Sequence, residues 1–310
     1  MDYNWQESYA MPMEQASVPK QPLAEVFGFP INNFSTKAER YRNNRLCPFN
    51  NRIANCTKDK ANDPLGVCSI FDTSGETVIT CPIRFRQDWL IAEDAARFFF
   101  PKGTMWTSLT EVRLNDLNGV SAGNIDIVLV SYDDRGRILD FGSLEVQAVY
   151  ISGNVRRPFE NFMNDPVAYN STEWSRPFHR PRPDYLSSSR KRLVPQLIYK
   201  GGILKSWGKK QAVALHRSFY STLPDLDEVD PENADIVWLV YDLVLNEQNN
   251  EYQLILHRSI YTLFNPSLDQ IITPEAGTIG EFVEHLQEKL EEKLDGDQNP
   301  PDAPTLDELL

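Results

Sequence analysis

The chain has 310 residues, of which 41% are apolar and 24% are charged, and its net charge is −13. This composition is typical of a globular protein with one large domain or two ordinary ones. No apolar run approaches the roughly 18 residues that a membrane span needs. The N-terminus also lacks the basic-then-apolar order of a signal peptide, so we expect a soluble, cytoplasmic protein with no membrane partner.

The first part of the chain predicts little regular structure. Residues 1–34 are rich in Pro, Gln, Met and Asn and indicate an N-terminal arm. A short helix is expected at Ser35–Asn44, because Ser35 is a residue type that caps free N–H groups. Residues 46–82 have a loop-like composition and contain all four cysteines, so we treat 35–86 as one cysteine-containing segment.

A mixed α/β domain is predicted over residues 87–294, with an acidic C-terminal part. An amphipathic helix at Gln87–Phe99 precedes three strands, of which the second and third are joined by the turn signal Asp133-Asp134-Arg135-Gly136. One or two helices are expected at Arg190–Trp207, broken near Gly201-Gly202, and a capped helix at Thr278–Leu294. Residues 295–310 are predicted to be disordered. The predicted strands are Leu109–Leu114, Ile125–Tyr132, Ile138–Ile151, Ala212–Tyr220, Ile236–Leu245 and Tyr252–Phe264.

Two acidic residues interrupt apolar strand sequences of the predicted hairpin. Asp126 lies in N-I-D-I-V-L-V and Glu145 in S-L-E-V-Q-A-V-Y. An acid in such a run is costly to bury unless a partner such as a metal ion compensates it. Gln147 shares a face with Glu145, since strand side chains alternate, and Glu111 on the preceding strand is a third acid within reach. The same residues are equally consistent with a half-solvated hairpin, Gln147 with a cross-strand amide, and Glu111 with a surface partner of Arg113 or Arg137.

These sequences resemble the core of the PD-(D/E)XK nucleases, and more narrowly the NotI-type restriction endonucleases. The narrower resemblance depends on Glu-Val-Gln in place of Glu-x-Lys, on Glu111 upstream of Asp126, and on four cysteines ahead of the core. It covers roughly residues 40–220. It implies a restriction-endonuclease-like mixed sheet flanked by helices, with an N-terminal four-cysteine metal-binding segment.

The resemblance also implies a role for each site residue. Asp126 and Glu145 would be Mg²⁺ ligands, with the carbonyl of Val146 as a further ligand. Gln147 would take the place of the usual lysine and orient the attacking water or a phosphate oxygen, while Glu111 would be a further metal or water ligand. Since Gln147 carries no charge, the metal would have to neutralise more of the transition state.

The four cysteines form a second candidate site. Cys47, Cys56, Cys68 and Cys81 lie within 35 residues, which in an intracellular protein favours metal binding over disulfides. Four thiolates suit tetrahedral Zn²⁺ or a single iron, although the gaps of 8, 11 and 12 residues contain no C-x-x-C pair. Four free thiols are the alternative. The resemblance favours iron, through the rubredoxin-like four-cysteine iron site of the NotI family and the dipeptides Cys47-Pro48 and Cys81-Pro82.

The charge distribution suggests where DNA binds. Residues 151–220 contain 13 basic and 4 acidic residues, whereas residues 221–310 contain 3 basic and 21 acidic ones. A basic segment after the acids suits a polyanion such as DNA, although such charge is also often a solvated surface. The loop Arg176–Asp184, with His179 and Asn170, is a candidate for reading bases. The predicted DNA-binding residues are Arg156, Arg157, Arg176, Arg180, Arg182, Arg190, Lys191 and Arg192.

Two functions follow from these features. The first is a type II restriction endonuclease that hydrolyses double-stranded DNA with Mg²⁺ at a palindromic site, as a homodimer, since two-fold proteins match two-fold sites. The second is a non-catalytic DNA-binding or assembly protein with a nuclease-like fold and a four-cysteine metal clip. The four histidines are scattered and form no H-E-x-x-H or similar motif, which argues against other metal-dependent hydrolysis.

Overall fold

The computed structural model describes residues 21–60, 62–171, 180–273 and 276–295. The chain divides into two units, residues 1–271 and residues 272–310. The first unit contains every described strand, and the second contains one long helix. Within the described residues, no helix is long and apolar enough to cross a membrane.

The first half of unit 1 contains a small sheet and three of the six strands of a large one. The strands of the small sheet and of a short ribbon beside it are β1 Leu23–Val26, β2 Phe29–Pro30, β3 Asp59–Lys60, β4 Asp63–Pro64, β5 Val67–Phe71 and β6 Thr77–Ile79. The helices are α1 Thr36–Asn43 and α2 Leu90–Phe99, with a 3-10 helix at Pro82–Trp89 before α2. Three long strands follow, namely β7 Trp106–Asn115, β8 Ser121–Tyr132 and β9 Ile138–Gln147.

The second half of the chain completes the large sheet. Strands β10 Tyr150–Ser152 and β11 Arg182–Asp184 form a separate two-stranded sheet, whereas β12 Gln211–His216, β13 Ile236–Asn246 and β14 Glu251–Thr262 belong to the large sheet. The helices α3 Arg156–Asn164 and α4 Pro166–Ser171 lie between β10 and β11. Helix α5 spans residues 185–206, and it is followed by α6 Arg217–Tyr220, α7 Phe264–Ile272 and, in unit 2, α8 Ile279–Asp295.

The large sheet is mixed, with the strand order β14-β13-β12-β9-β8-β7. Strands β7, β8 and β9 form an antiparallel meander, β12 runs parallel to both β9 and β13, and β14 pairs antiparallel with β13. Two alternating sets of apolar side chains point to opposite faces of this sheet, because strand side chains alternate. The predicted mixed α/β class, a mixed sheet flanked by helices, is therefore confirmed.

Each face of the sheet is covered by a different layer. On one face Ile127, Leu129 and Leu144 pack with Ile91 and Ala95 of helix α2. On the other face the core contains Val213, Leu215 and Trp238, the small-sheet residues Leu23 and Ile70, and Leu193 and Leu197 of helix α5. Helix α5 thus lies on the face opposite α2. This position decides which side chains reach the acidic residues described below.

Several local expectations differ from the structure. The described part of the predicted arm is docked, because Leu23, Val26, Phe27 and Phe29 are almost fully buried. Residues 46–82 contain short strands rather than loop alone, since the apolar sequence V-C-S-I-F pairs with β1 and β6. The proposed tail at 296–310 lies outside the described residues.

The helices and one strand also have different limits from those expected. Gln87 and Asp88 are not helical, so α2 begins only at Leu90. Strand β12 ends at His216, where the imidazole caps α6, rather than continuing to Tyr220. The predicted break at Gly201-Gly202 is wrong, because both glycines have helical dihedral angles inside α5.

Candidate active site

The three predicted acids form one row across strands β7, β8 and β9. Ile127 pairs with Leu144 in the antiparallel register of β8 and β9, which places Asp126 opposite Glu145. Thr110 pairs with Ile127 and Val112 with Ile125, which places Glu111 opposite Asp126 on the other side. Directly opposite residues of an antiparallel pair have Cβ atoms ~5 Å apart, so the sheet register brings the three carboxylates together.

Burial and mutual repulsion act on the two central acids. Glu145 is only 8% exposed, and burial followed by the neighbouring Asp126 raises the pKa of its carboxyl from 4.5 to about 7. Burial also raises the pKa of Asp126, although the backbone N–H of Val146 donates to Asp126 Oδ2 at 2.9 Å and opposes this shift. Glu145 Oε2 is buried and accepts no hydrogen bond from any described residue. The arrangement therefore has unmet capacity for a cation.

Gln147 and Glu111 border this pair in different ways. Gln147 is 7% exposed, and its Nε2 donates to the carbonyl of Ala148 at 2.8 Å. Its position two residues after Glu145 puts it on the same face of β9. Glu111 is exposed and has φ of +57°, a left-handed value that is rare for a non-glycine residue and that clusters at functional sites. Glu111 forms no described hydrogen bond or ion pair with Arg113 or Arg137, and the described hydrogen bond of the Gln147 amide is to the adjacent Ala148 rather than across to another strand.

A lysine that the strand sequences did not indicate completes the site. The Nζ of Lys200, on helix α5, lies 2.7 Å from Glu145 Oε1. It also donates to the carbonyl of Asn124 at 2.8 Å and to Gln196 Oε1 at 3.0 Å. Lys200 is 5% exposed. A lone lysine within the apolar sequence L-I-Y-K-G-G-I-L was the available signal, on the same reasoning that singled out the two acids.

The acids do not by themselves form a complete metal cage. Among the described residues, no group of three or more His, Cys, Asp or Glu side chains is arranged to hold a metal ion. Mg²⁺, however, keeps several waters and commonly takes only one or two protein carboxylates. The pair Asp126 and Glu145 therefore fits Mg²⁺ in donor type, burial and free coordination capacity.

The four cysteines come together in the small sheet region. Cys47, Cys56, Cys68 and Cys81 line one cavity, with Lys58 and Arg84 at its border. All four are free thiols. Burial, together with the nearby Cys81 and Cys56, raises the pKa of Cys47 to about 11, and burial also raises the pKa values of Cys56 and Cys68. The four thiols therefore share one cavity, but among the described residues they are not arranged as a metal-binding group, and the metal stays a prediction.

The predicted DNA-binding residues differ in whether their side chains already have partners within the protein. Arg156 is neutralised by Asp59 at 2.6 Å and Asp63 at 2.7 Å. Arg180 donates to the carbonyl of Gln21 at 3.2 Å, whereas Arg176 and His179 lie outside the described residues. Asn170 donates to the carbonyl of Ile31. Five of the predicted residues are exposed and form no ion pair with any described residue. These are Arg157, Arg182, Arg190, Lys191 and Arg192.

Most of these exposed cations lie close to the end of β9. Strand β10 begins three residues after Gln147 and pairs with β11, so that Ser152 lies opposite Arg182. The guanidinium of Arg192 stacks on the ring of Tyr150, 4.4 Å from its centroid. Arg190 and Lys191 belong to the same π-helical turn, Ser189–Leu193. The polypeptide thus presents positive charge on the β10–β11 pair and the first π-helical turn of α5, which follow β9 in the chain.

A mixed sheet with paired buried acids next to exposed arginines is the arrangement of a hydrolase that acts on a phosphate polyanion. The family model for the restriction endonuclease NotI matches residues 32–254, well over half of the chain. The chain belongs to the NotI restriction endonuclease family. That family implies a type II enzyme that cleaves double-stranded DNA at specific sites. No match was found among curated proteins.

Proposed function

We propose that this protein hydrolyses phosphodiester bonds of double-stranded DNA with Mg²⁺ held by Asp126 and Glu145, in a PD-(D/E)XK type of active site. The observation that carries the proposal is the buried pair of acids on β8 and β9, in which the Glu145 carboxyl contacts Asp126 and Lys200 but accepts no hydrogen bond from any other described residue. When bound, Mg²⁺ would supply an activated water and neutralise charge on the scissile phosphate.

Each side chain of the row contributes a distinct function. Asp126 is fixed by the N–H of Val146, which leaves its second oxygen for the metal. Gln147, anchored by its donation to Ala148, offers the amide Oε1 as an acceptor for a water proton. Glu111, opposite Asp126, would accept a hydrogen bond from a metal-bound water. Val146, between Glu145 and Gln147, would provide the backbone carbonyl as a further ligand.

We also assign DNA binding to the basic surface after β9. Arg157, Arg182, Arg190, Lys191 and Arg192 are exposed and form no ion pair with a described acid, although Asp184 lies near Arg182 and Lys191. Phosphate contacts by such residues give most of the affinity of DNA-binding proteins. Arg156 is instead given a structural role, because its guanidinium already forms ion pairs with Asp59 and Asp63.

The cysteine cavity is proposed to hold one iron or zinc ion. Four thiols that share a small cavity match the donor set of a tetrahedral structural site. Binding would release their protons and cross-link β5 to the segments on either side, where the local core is small. Metal analysis of the purified protein tests this, and less than about 0.2 equivalents of iron plus zinc would contradict it.

A palindromic site and a homodimer complete the proposal. The described residues contain one row of acids per chain, and one such site cuts one strand at a time. Two copies related by a two-fold axis would address both strands of a palindrome. The mass of the protein in solution, measured with and without site-containing DNA, tests the dimer.

The decisive experiment is cleavage of long, unmethylated DNA by the purified protein. We expect discrete fragments with Mg²⁺, none with a chelator, and none with Glu145→Ala. Glu93→Gln is the matched control, because Glu93 is an exposed acid on α2, on the opposite face of the sheet. Tight DNA binding without cleavage, unchanged in Glu145→Ala, would instead support a non-catalytic DNA-binding protein.

A further inference from the structure

Lys200 is a buried charged residue of the candidate site that does not belong to the sheet. It belongs to helix α5, far from β9 in sequence, and yet its ammonium contacts Glu145 Oε1 at 2.7 Å. A lysine is almost never this deeply buried without a specific partner, because the charge loses its hydration. Specific partners in the interior must therefore compensate the lost hydration of the Lys200 ammonium.

The backbone of α5 directs this side chain towards the acids. Two turns of α5, Ser189–Leu193 and Leu197–Gly201, are π-helical, and Lys200 lies in the second. A π-turn rotates the following side chains relative to a regular helix and often occurs at functional sites. Gly201 is required at the next position, since a Cβ there would come within 2.7 Å of the Phe264 ring and 2.8 Å of Gln211 Oε1.

The hydrogen bonds of Lys200 show how it can act. An ammonium group has three N–H donors. Two of them donate to the carbonyl of Asn124 and to Gln196 Oε1, at 2.8 and 3.0 Å, and Nζ lies 2.7 Å from Glu145 Oε1 in an ion pair. Because Lys200 is only 5% exposed, it acts through Glu145 rather than on the substrate.

We propose that Lys200 is a positioning residue of the active site, which holds Glu145 Oε1 so that Oε2 faces Asp126 and is free for the metal. The ammonium is itself fixed to β8 through Asn124, two residues before Asp126. The same lysine thus connects the strand of one acid with the side chain of the other. It also supplies beside the acids a positive charge, which the uncharged Gln147 does not supply.

This inference is separate from the established membership of the family but depends on the proposed active site. The test compares Lys200→Met, which keeps the length of the side chain without its charge or donors, with Lys205→Met. Lys205 is the matched control, because it lies on the same helix and pairs with Asp235, in an ion pair away from the acids. Single-turnover cleavage, DNA affinity in Ca²⁺ and melting temperature are measured for each protein.

We expect Lys200→Met to cleave about 10- to 100-fold more slowly than the wild type, as is usual when a partner of a metal ligand is removed. DNA affinity in Ca²⁺ should stay within about threefold, because phosphate contacts give that affinity. Lys205→Met should cleave at the wild-type rate. If Lys200→Met does not fold, Lys200→Gln replaces it, since the amide retains two donors for Asn124 and Gln196.

A double-mutant cycle distinguishes positioning from a general structural role. Glu145→Asp shortens the carboxylate and withdraws it from Lys200, so adding Lys200→Met to this variant should cost less than about threefold. An equal loss in both backgrounds, or wild-type cleavage by Lys200→Met, would overturn the assignment. If the wild type itself does not cleave DNA with Mg²⁺, the proposed function fails rather than this inference.

Discussion

Opposing effects act on the pKa of the Glu145 carboxyl. Burial and Asp126 raise its pKa to about 7, whereas Lys200 lowers it through an ion pair. A carboxyl that is costly to ionise and yet faces a second acid is typical of a functional site rather than of a stabilising interaction. The buried acids therefore reduce the stability of the metal-free protein, as is expected of the cation site that we propose.

The raised pKa of Glu145 predicts a pH dependence of stability. The folded state holds the proton up to about pH 7, whereas the unfolded state releases it near 4.5. Between these values the folded state binds more protons, so the free energy of unfolding of the metal-free protein falls as the pH rises. A shift of this size corresponds to an effect on the order of 3 kcal/mol, complete above pH 7.

Glu145→Gln should remove this contribution. At pH 8, without metal, we expect the variant to unfold at a higher urea concentration than the wild type, and the difference should vanish near pH 4. Glu93→Gln, at an exposed position, is the control and should follow the wild type at both values. An unchanged difference between wild type and Glu145→Gln across this range would contradict the assignment of the raised pKa.

Helix α5 contains both the basic residues that we propose bind DNA and the lysine that contacts the acidic row. Its first π-turn exposes Arg190, Lys191 and Arg192, and its second turns Lys200 inward. The two π-turns are separated by a short α-helical segment, Val194–Gln196. One helix thus has a solvent-exposed basic end and a buried basic residue, which its sequence composition alone does not distinguish.

Neutralising the first π-turn should weaken DNA binding and its salt dependence. For the triple variant Arg190→Gln, Lys191→Gln and Arg192→Gln, we expect lower affinity in Ca²⁺ for every DNA sequence. The slope of log K against log salt concentration should become less steep by up to about 3, since each phosphate contact contributes roughly 0.9. Titrations at several salt concentrations measure both quantities.

The control for this triple variant is Arg156→Gln. Because Arg156 is already paired with Asp59 and Asp63, its replacement should change the salt slope by less than about 0.5. A triple variant with the wild-type slope would remove this turn from the DNA interface. A large change of the salt slope in Arg156→Gln would instead place the β3–β4 ribbon at the DNA interface.

At the scale of the whole molecule, the acidic charge is concentrated in the C-terminal part. Residues 276–310 contain ten acidic and two basic residues, so their removal changes the net charge from −13 to −5. The described sheet and acidic row belong to unit 1. The apolar residues of α8, such as Phe282, Val283 and Leu286, are exposed.

A chain that ends at residue 275 should therefore fold and cleave DNA. We expect its melting temperature to lie within about 3 °C of the full chain, because none of the described residues that the truncation removes is buried. Its non-specific DNA affinity should rise, since less negative charge repels the polyanion. Calorimetry and binding at low salt measure these effects, and loss of cooperative unfolding would show that unit 1 depends on the removed segment.

Strand alternation and the turn at Asp133–Gly136 determined the antiparallel hairpin and the acids on it, because both are local properties of the chain. The clustering of four cysteines was also visible in the sequence. The structure adds the pairing of β9 with β12, the docking of β1 and the π-turns of α5, all of which join residues distant in sequence. Lys200 reaches Glu145 only through this packing, since no local period links the two positions.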